Sequence, residues 1–275
     1  MPATMSAGVV DWAVDWATLS VPEFAAWARA TGVRLPFPLD TGELAYVAGP
    51  DADGIEKLLA ERELADSSIL ATAAAVFAEP RLCVYAVRVT LDGTESRYAA
   101  FAGQDEKAVT VLIEPPQVAL RIIADTELAA SVVGALPQQP ALHAPAAEIS
   151  LQELIDIDTA IDAGASPRTL SAQLGQAGLP ASLVTLRQRV GNTPTPAGAL
   201  GAVGFAGDTL THSRRSATWR EFEDGALLQI ERGRRQGQER ILLTPYTPDA
   251  LFRAAVDGIG SVYEAGTGET TDGES

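Results

Sequence analysis

Residues 81–123, RLCVYAVRVTLDGTESRYAAFAGQDEKAVTVLIEPPQVALRII, predict four short β-strands in sequence order. The first run, Leu82–Val87, is apolar on both faces, as is typical of a central strand. Asp92-Gly93 supplies a turn, and the run Val109–Ile113 is rich in β-branched residues that favour strands. Pro115-Pro116 then interrupts the hydrogen-bond ladder because proline has no N–H to donate. Short strands that follow one another along the chain form an antiparallel meander, which can present a binding surface.

The charge and cysteine content limit the classes of partner. The chain has 275 residues and a formal net charge of -16 at pH 7. Such a protein repels phosphate backbones and acidic lipids, so we expect neither nucleic-acid binding nor membrane insertion. The single cysteine, Cys83, rules out a disulfide framework and favours a reducing, cytoplasmic location. The acidic residues Asp11 and Asp15 near the N-terminus are not typical of a signal peptide.

The remainder of the chain repeats the order of the first part. A helix from about Asp125 to Leu136 closes the first meander, and the proline-rich run Pro137–Pro145 predicts a linker. Helices, a second meander and a second closing helix follow, which indicates a degenerate duplication. We predict an α+β fold in which antiparallel β-meanders are flanked by helices, in two similar halves of one compact domain. The predicted bounds are residues 1–140, residues 141–265 and a disordered acidic tail at residues 266–275.

The second half provides its own helix and strand signals. A helix is predicted at Ser150–Ala163, with Leu151, Leu154, Ile155 and Ile161 facing inward. Another begins at Ser166-Pro167, where proline suits the first helical position. A third is predicted to end near Val190. Strands at Ala217–Phe222, Ala226–Glu231 and Glu239–Leu243 follow, and Asp224-Gly225 joins the first two as a short hairpin. The closing helix starts at Thr247, with an apolar stripe predicted at Leu251, Phe252, Ala255, Val256 and Ile259.

Three motifs that suggest chemistry also have simpler explanations. Gly198-Ala-Leu-Gly201-Ala-Val-Gly204 matches a dinucleotide fingerprint by its letters, but that fingerprint needs a preceding strand and a following helix. We predict a loop over residues 191–207 with a short strand at Ala202–Phe205. Asp51-Ala-Asp53-Gly54 resembles the start of a calcium loop, yet its spacing favours a helix cap. Asp158 and Asp162 lie one helical turn apart, which is more typical of a solvated acidic face.

Few residues could support catalysis. His143 and His212 are the only imidazoles, and Cys83 lies in the middle of a predicted strand, where a thiol is usually buried and inert. The sequence contains neither a Gly-x-Ser-x-Gly nor a His-Glu-x-x-His motif. We therefore predict no catalytic residue, no metal site and no cofactor, and we expect the protein not to be an enzyme. The alternative is a small-ligand protein or enzyme that uses the Gly198–Gly207 loop.

Arginines concentrate in the last third of this acidic chain. They could bind an acidic partner or a phosphate, or they could form a solvated hairpin loop at Arg232–Gly237. An anion-binding or nucleic-acid-binding adaptor is a third hypothesis, and solvation of the loop is the simpler explanation. The arginines concerned are Arg214, Arg215, Arg232, Arg234, Arg235 and Arg240.

The order of the elements and several short patterns resemble the EspG family, the cytosolic chaperones of type VII (ESX) secretion in mycobacteria and related actinobacteria. Leu19–Phe24 contains a capping box at Ser20 and Glu23 and is similar to that family's opening helix. The helix at Leu128–Leu136 is similar to the one that closes the family's first half. Further similarities lie at Leu35-Pro36, Glu61–Leu64, Pro80–Leu82, Arg214-Arg215, Thr218-Trp219, Asp224-Gly225 and Leu243–Pro245. One departure is the hairpin at Phe222–Leu227, which lacks the Arg-Tyr that commonly follows its glycine in the family.

The resemblance implies that the protein functions by binding. Family members hold a PE–PPE heterodimer in the cytosol, cover the apolar tip of the PPE helical bundle and deliver the pair for export. An exposed apolar tip promotes aggregation, and an open sheet with flanking helices could cover it without chemistry. Homodimer formation is left open. The resemblance places candidate contacts on the two meanders, with core positions as the alternative for the apolar ones: Leu91, Asp92, Arg97, Phe101, Leu228, Ile230 and Arg232.

Overall fold

The computed structural model describes residues 16–40, 47–104, 106–140, 142, 146–176, 195–235 and 238–267. The strands are β1 (Ala17–Ser20), β2 (Leu82–Val89), β3 (Glu95–Ala102), β4 (Lys107–Glu114), β5 (Gln117–Ala124), β6 (Ala147–Ser150), β7 (Ala197–Ala206), β8 (Thr209–His212), β9 (Ala217–Phe222), β10 (Gly225–Arg235) and β11 (Gln238–Pro245). The helices are α1 (Val21–Ala30), α2 (Ala52–Glu61), α3 (Ser68–Ala78), α4 (Leu128–Ala135), α5 (Leu151–Asp162), α6 (Pro167–Gln176) and α7 (Pro248–Thr267). A 3₁₀ turn at Asp125–Glu127 precedes α4.

All of the described strands join one antiparallel sheet. Its order is β1-β5-β4-β3-β2-β7-β9-β10-β11-β6, with β8 beside β7. The order is symmetric about the contact between β2 and β7, because each half builds its meander outward from that contact. Each half also ends on its own first strand, since β1 pairs with β5 and β6 pairs with β11. This is the arrangement that a duplication predicts, and the predicted α+β class and first meander are confirmed.

Helices cover both faces of the sheet. The side chains of Val84, Ala100 and Leu228 point to one face and pack against α4 and α7. On the opposite face, α1 and α3 cover the first meander around Phe101, while α5 and α6 cover the second around Ile241. β3 and β4 are buried on both faces, as their apolar residues in consecutive positions predict.

Two equivalent capping boxes fix the start of α1 and α5. The Glu23 amide donates to the Ser20 hydroxyl at 3.4 Å, and the Ser20 amide donates to the Glu23 carboxylate at 2.7 Å. Ser150 and Glu153 repeat this exchange at 3.2 and 2.8 Å. Each box follows an edge strand directly, so the strand and the helix start are fixed together. The predicted box at Ser20 is confirmed. Asp51 likewise accepts from the Gly54 amide at 2.9 Å, which makes it the cap of α2.

The glycine-rich stretch predicted as a loop is instead the central strand β7. Large side chains from neighbouring elements occupy the space that its side chains would need. A Cβ on Gly198 would overlap the ring of Trp219, and one on Gly201 would lie 2.9 Å from the Tyr85 hydroxyl. A Cβ on Gly204 would lie 2.6 Å from a Val262 methyl. The stretch leads into β8 and does not open a helix, so it lacks the context of a dinucleotide site.

Other predictions also need correction. In α5, Ile155 is predicted to face inward but is 47% exposed. The buried residues of this helix are Leu154 and Ile157. The arginine stretch predicted as a loop extends β10 to Arg235. The last helix runs to Thr267, beyond the predicted start of the tail at Gly266. Three predicted features lie outside the described residues. They are the third helix of the second half, which is predicted to end near Val190, the histidine His143 and the tail at residues 268–275.

Candidate protein-binding surface

Between the two helix groups, side chains at the centre of the sheet stay accessible. The strand register places them on the face that carries α1–α3 and α5–α6, since Tyr85 packs against the first group and Leu227 against the second. Tyr85 lies opposite Gly201, and Arg220 lies opposite Ala197. We call this surface the central floor. It consists of Tyr85, Val87 and Val89 on β2, Ala197 and Ala199 on β7, and Thr218 and Arg220 on β9, while Gly201 is buried beneath Tyr85.

An aromatic wall borders the floor. The ring of Phe37 meets Tyr85 edge-on at 5.2 Å between centroids and meets His212 edge-on at 5.3 Å. Arg97 holds the segment that carries Phe37, because its guanidinium donates to the Pro38 carbonyl at 3.0 Å. Burial raises the pKa of the Tyr85 hydroxyl, which therefore stays neutral at physiological pH. The wall is thus preformed and apolar, with the exposed His212 at its outer end.

The floor is mostly apolar and carries one cation. Val89, Ala197 and Arg220 form a single cross-strand row. Arg220 is exposed and forms no ion pair with any residue that the structure describes. An apolar surface with an unpaired cation at its side fits an apolar partner that carries an acidic residue.

The turn between β2 and β3 projects from the same end of β2. Leu91 is 66% exposed and follows Val89, the last residue of β2, by two positions. Asp92 folds back on this turn, accepting from the Thr90 hydroxyl and from the Thr94 amide, the latter at 3.0 Å. These hydrogen bonds lower the pKa of Asp92 to about 2. Asp92 therefore shapes the turn that presents Leu91.

The other residues predicted as contacts are buried or lie on the opposite face of the sheet from the central floor. Phe101 and Leu228 are completely buried and Ile230 is 3% exposed, so the core alternative describes them. Arg97 is buried and positions the aromatic wall. Arg232 lies on the opposite face of the sheet, where it pairs with Asp257 of α7 at 3.1 Å.

The arginine cluster is dispersed among acidic partners. Arg215 pairs with Glu264 of α7 at 3.2 Å, and Arg240 pairs with Glu148 of β6 at 3.1 Å. Arg215, Arg232 and Arg240 thus pair with three different carboxylates, two on α7 and one on β6, and each is neutralised within the protein. The side chains of Arg234 and Arg235 lie outside the described residues.

The described residues offer little for catalysis. The Cys83 thiol is fully buried, and burial raises its pKa well above the ordinary value, so it stays protonated. In the described ranges, no cluster of three or more His, Cys, Asp or Glu side chains could hold a metal ion. A surface cavity of about 620 Å³ between α3, β5 and α4 is lined partly by Arg121 and Glu127. It is remote from the glycine strand that the alternative hypothesis used. Among the helices that the structure describes, none has the length and hydrophobicity to cross a bilayer.

Sequence reasoning missed the floor residues on β9. The signal was present, because buried Ala217 and Trp219 alternate with exposed Thr218 and Arg220. That period of two places the polar pair on the face opposite α7. The sequence does not identify the neighbouring strand, because the glycine-rich stretch that forms β7 is typical of a loop.

Comparison with known proteins agrees with this architecture. The fold is similar to the solved structure of the Mycobacterium tuberculosis type VII secretion system chaperone EspG5 in complex with the PE25–PPE41 dimer. The TM-score is 0.68 at 14% identity, and the match covers 90% of this chain and 96% of that one. No curated protein matches the chain in sequence. A sequence model of the EspG family matches residues 20–257, which is most of the chain. The protein therefore belongs to the EspG family.

Proposed function

We propose that this protein is a cytoplasmic chaperone of type VII (ESX) secretion that binds a PE–PPE-type heterodimer. The observation that carries the proposal is the family match over residues 20–257, together with the fold shared with a chaperone solved in complex with such a dimer. The protein acts by binding, and no bond is made or broken. It keeps the heterodimer soluble until export.

The central floor is the proposed docking surface. An apolar helical tip exposed in the cytoplasm would aggregate, and a preformed apolar surface removes that hazard. The floor lies between two helix groups that can act as walls, and the ring of Phe37 stands at one border. Since the cargo must be released, we expect an interface of roughly 1,600 Å² in total and not the larger area of an obligate complex.

Two exposed side chains are proposed as principal contacts. Leu91 projects from the turn beyond β2, where it can insert between helices of the partner. Arg220, which has no ion pair among the described residues, offers its guanidinium to an acidic side chain at the edge of the apolar contact. Arg220 belongs to the floor and Leu91 lies beside it, and neither is a core residue, so both can be changed without loss of fold.

Co-expression with the PE–PPE-type pairs encoded beside the gene tests the proposal. We expect one pair to co-purify as a single complex in size-exclusion chromatography. Leu91→Asp and Arg220→Glu should each weaken binding at least about tenfold, which corresponds to about 1.4 kcal/mol. Lys57→Glu is the matched control for the charge reversal, because Lys57 is highly exposed on α2.

The outcomes separate the two parts of the proposal. If the protein co-purifies with none of the pairs from its own locus, the chaperone function is wrong. If a pair binds but Leu91→Asp and Arg220→Glu both retain wild-type affinity, the function stands and the central floor is not the docking surface.

A further inference from the structure

The last helix carries a partly exposed apolar stripe beside its core-facing side. Phe252, Val256 and Tyr263 are 44%, 45% and 51% exposed, and Ile259 beside them is half-buried. The core contacts of α7 come from a different side of the helix, namely Leu251, Ala254, Ala255, Gly258 and Val262. The Tyr263 hydroxyl accepts a hydrogen bond from Arg81 at 3.2 Å, while the apolar side chains of Phe252 and Val256 remain nearly half exposed.

The spacing of the stripe is that of a coiled-coil seam. Phe252, Val256, Ile259 and Tyr263 are separated by four, three and four residues. This alternation keeps apolar side chains on one line along a helix and lets them interdigitate with a second helix. It is also the same when read in either direction, so an identical helix can meet it in antiparallel orientation.

We propose that α7 is a self-association surface through which two copies of the protein pair about a two-fold axis. Phe252 then packs against the partner's Tyr263, and Val256 packs against the partner's Ile259. The symmetry makes each of these contacts occur twice, as an isologous interface requires. The Phe252 contact places two aromatic rings together, and such pairs favour edge-on or offset geometry.

Charges beside the stripe match the same register. Arg253 follows Phe252 by one position and Glu264 follows Tyr263 by one position, so both lie about 100° round the helix on the same flank. Flanks of the same kind face each other in an antiparallel pair, which brings Arg253 next to the partner's Glu264. Arg253 is exposed and forms no ion pair with a described residue. Glu264 is 66% exposed and pairs with Arg215 of the same molecule at 3.2 Å.

The expected association is weak. A single pair of helix faces lies at the small end of interface sizes, below roughly 1,200 Å² in total. Two copies with a net charge of -16 each also repel one another at long range. We therefore expect a dissociation constant on the order of 10 µM at moderate salt, where this repulsion is screened.

Sedimentation velocity of the full chain over about 1 to 200 µM tests the proposal, since that range spans the expected constant. The wild-type protein should pass from monomer to dimer. Val256→Asp should shift the midpoint at least about tenfold upward, because a buried unpaired charge opposes the contact. Ile155→Asp is the matched control: Ile155 is 47% exposed on α5 and should leave the midpoint unchanged.

A charge exchange tests the register separately. Arg253→Glu alone should weaken the dimer, and Arg253→Glu combined with Glu264→Arg should restore it to within about threefold of wild type. Thermal melts of each variant establish that the fold is kept. A wild-type protein that stays monomeric throughout the concentration range, or a folded Val256→Asp protein that still dimerises like wild type, would overturn the proposal. Failure of the exchange to restore pairing would overturn the antiparallel register. The proposal does not depend on the chaperone function, which is tested by Leu91 and Arg220.

Discussion

Arg88 and Glu221 form a bidentate ion pair that spans the central strand of the sheet. Arg88 Nε and Nη2 each lie 2.7 Å from a different carboxylate oxygen of Glu221. Arg88 comes from β2 and Glu221 from β9, with β7 between them. Trp219 Nε1 also donates to Glu221 at 3.1 Å, so the carboxylate is held on both sides. This pair ties the two halves of the molecule on the face that carries α4 and α7.

Breaking this pair should be costly. We expect Glu221→Gln to lower the free energy of unfolding by about 2–4 kcal/mol, because Arg88 would remain mostly buried without a counter-charge. Arg88→Met combined with Glu221→Leu should lose less than the sum of the two single variants, since neither charge is left alone. Urea denaturation measures both effects. A Glu221→Gln protein whose free energy of unfolding lies within about 0.5 kcal/mol of the wild-type value would contradict this role, since a difference of that size is within experimental scatter.

Gly198 should tolerate no side chain. Gly198→Ala should destabilise the protein by about 1–3 kcal/mol, because the added methyl group overlaps the buried ring of Trp219. Gly134→Ala is a suitable control: no atom lies within 4 Å of a Cβ at that helical position. Alanine is also the better helix former, so the control should gain up to about 1 kcal/mol. Chemical denaturation distinguishes the two signs, and equal effects at both glycines would contradict the packing described for β7.

The paired capping boxes should contribute similarly to stability. Ser20→Ala and Ser150→Ala should each cost about 1 kcal/mol, because each removes the acceptor for a helix amide. Ser67 occupies the same position before α3 but makes no side-chain hydrogen bond to that helix. Ser67→Ala should therefore have little effect in the same thermal or chemical melts. A loss at Ser67 as large as that at Ser20 would show that the hydroxyl bond is not the cause.

Glu153 should make part of the stability pH-dependent. Hydrogen bonds from the Ser150 hydroxyl and amide lower the pKa of Glu153 below its ordinary value of 4.5. A group with a lowered pKa in the folded state stabilises the protein fully above the unfolded pKa and loses that effect as the pH falls through the folded pKa. The stability difference between wild type and Glu153→Gln should thus be constant from neutral pH down to about 5 and shrink below 4.5. A difference that grows on acidification would have the wrong sign.

The first meander and the helix caps could be predicted because their signals are local. Ser20 and Glu23 are three residues apart, and Asp224-Gly225 lies directly between two alternating runs. Each signal needs only its neighbours in sequence. The same holds for Pro167 at the start of α6.

The missed elements depend on distant residues. Gly198 and Gly201 favour a strand only because Trp219 and Tyr85 fill the space above them, and no local propensity contains that information. The apolar stripe predicted for α7 includes both Leu251, which is buried, and Phe252, which is 44% exposed, since periodicity cannot tell which part of a broad apolar face meets the sheet. Leu91 could be placed on an exposed turn, while the burial of Phe101 followed from helices packed above its strand.

The mirror-like strand order has an evolutionary consequence. A polypeptide half as long could build the whole sheet by joining its innermost strand to that of a twin. Fusion of two such genes would keep the architecture and release the halves from having to be identical. The fused chain could then carry a tyrosine on one central strand and a glycine opposite it on the other, as Tyr85 and Gly201 are. It could thus form an asymmetric surface that a symmetric homodimer cannot form.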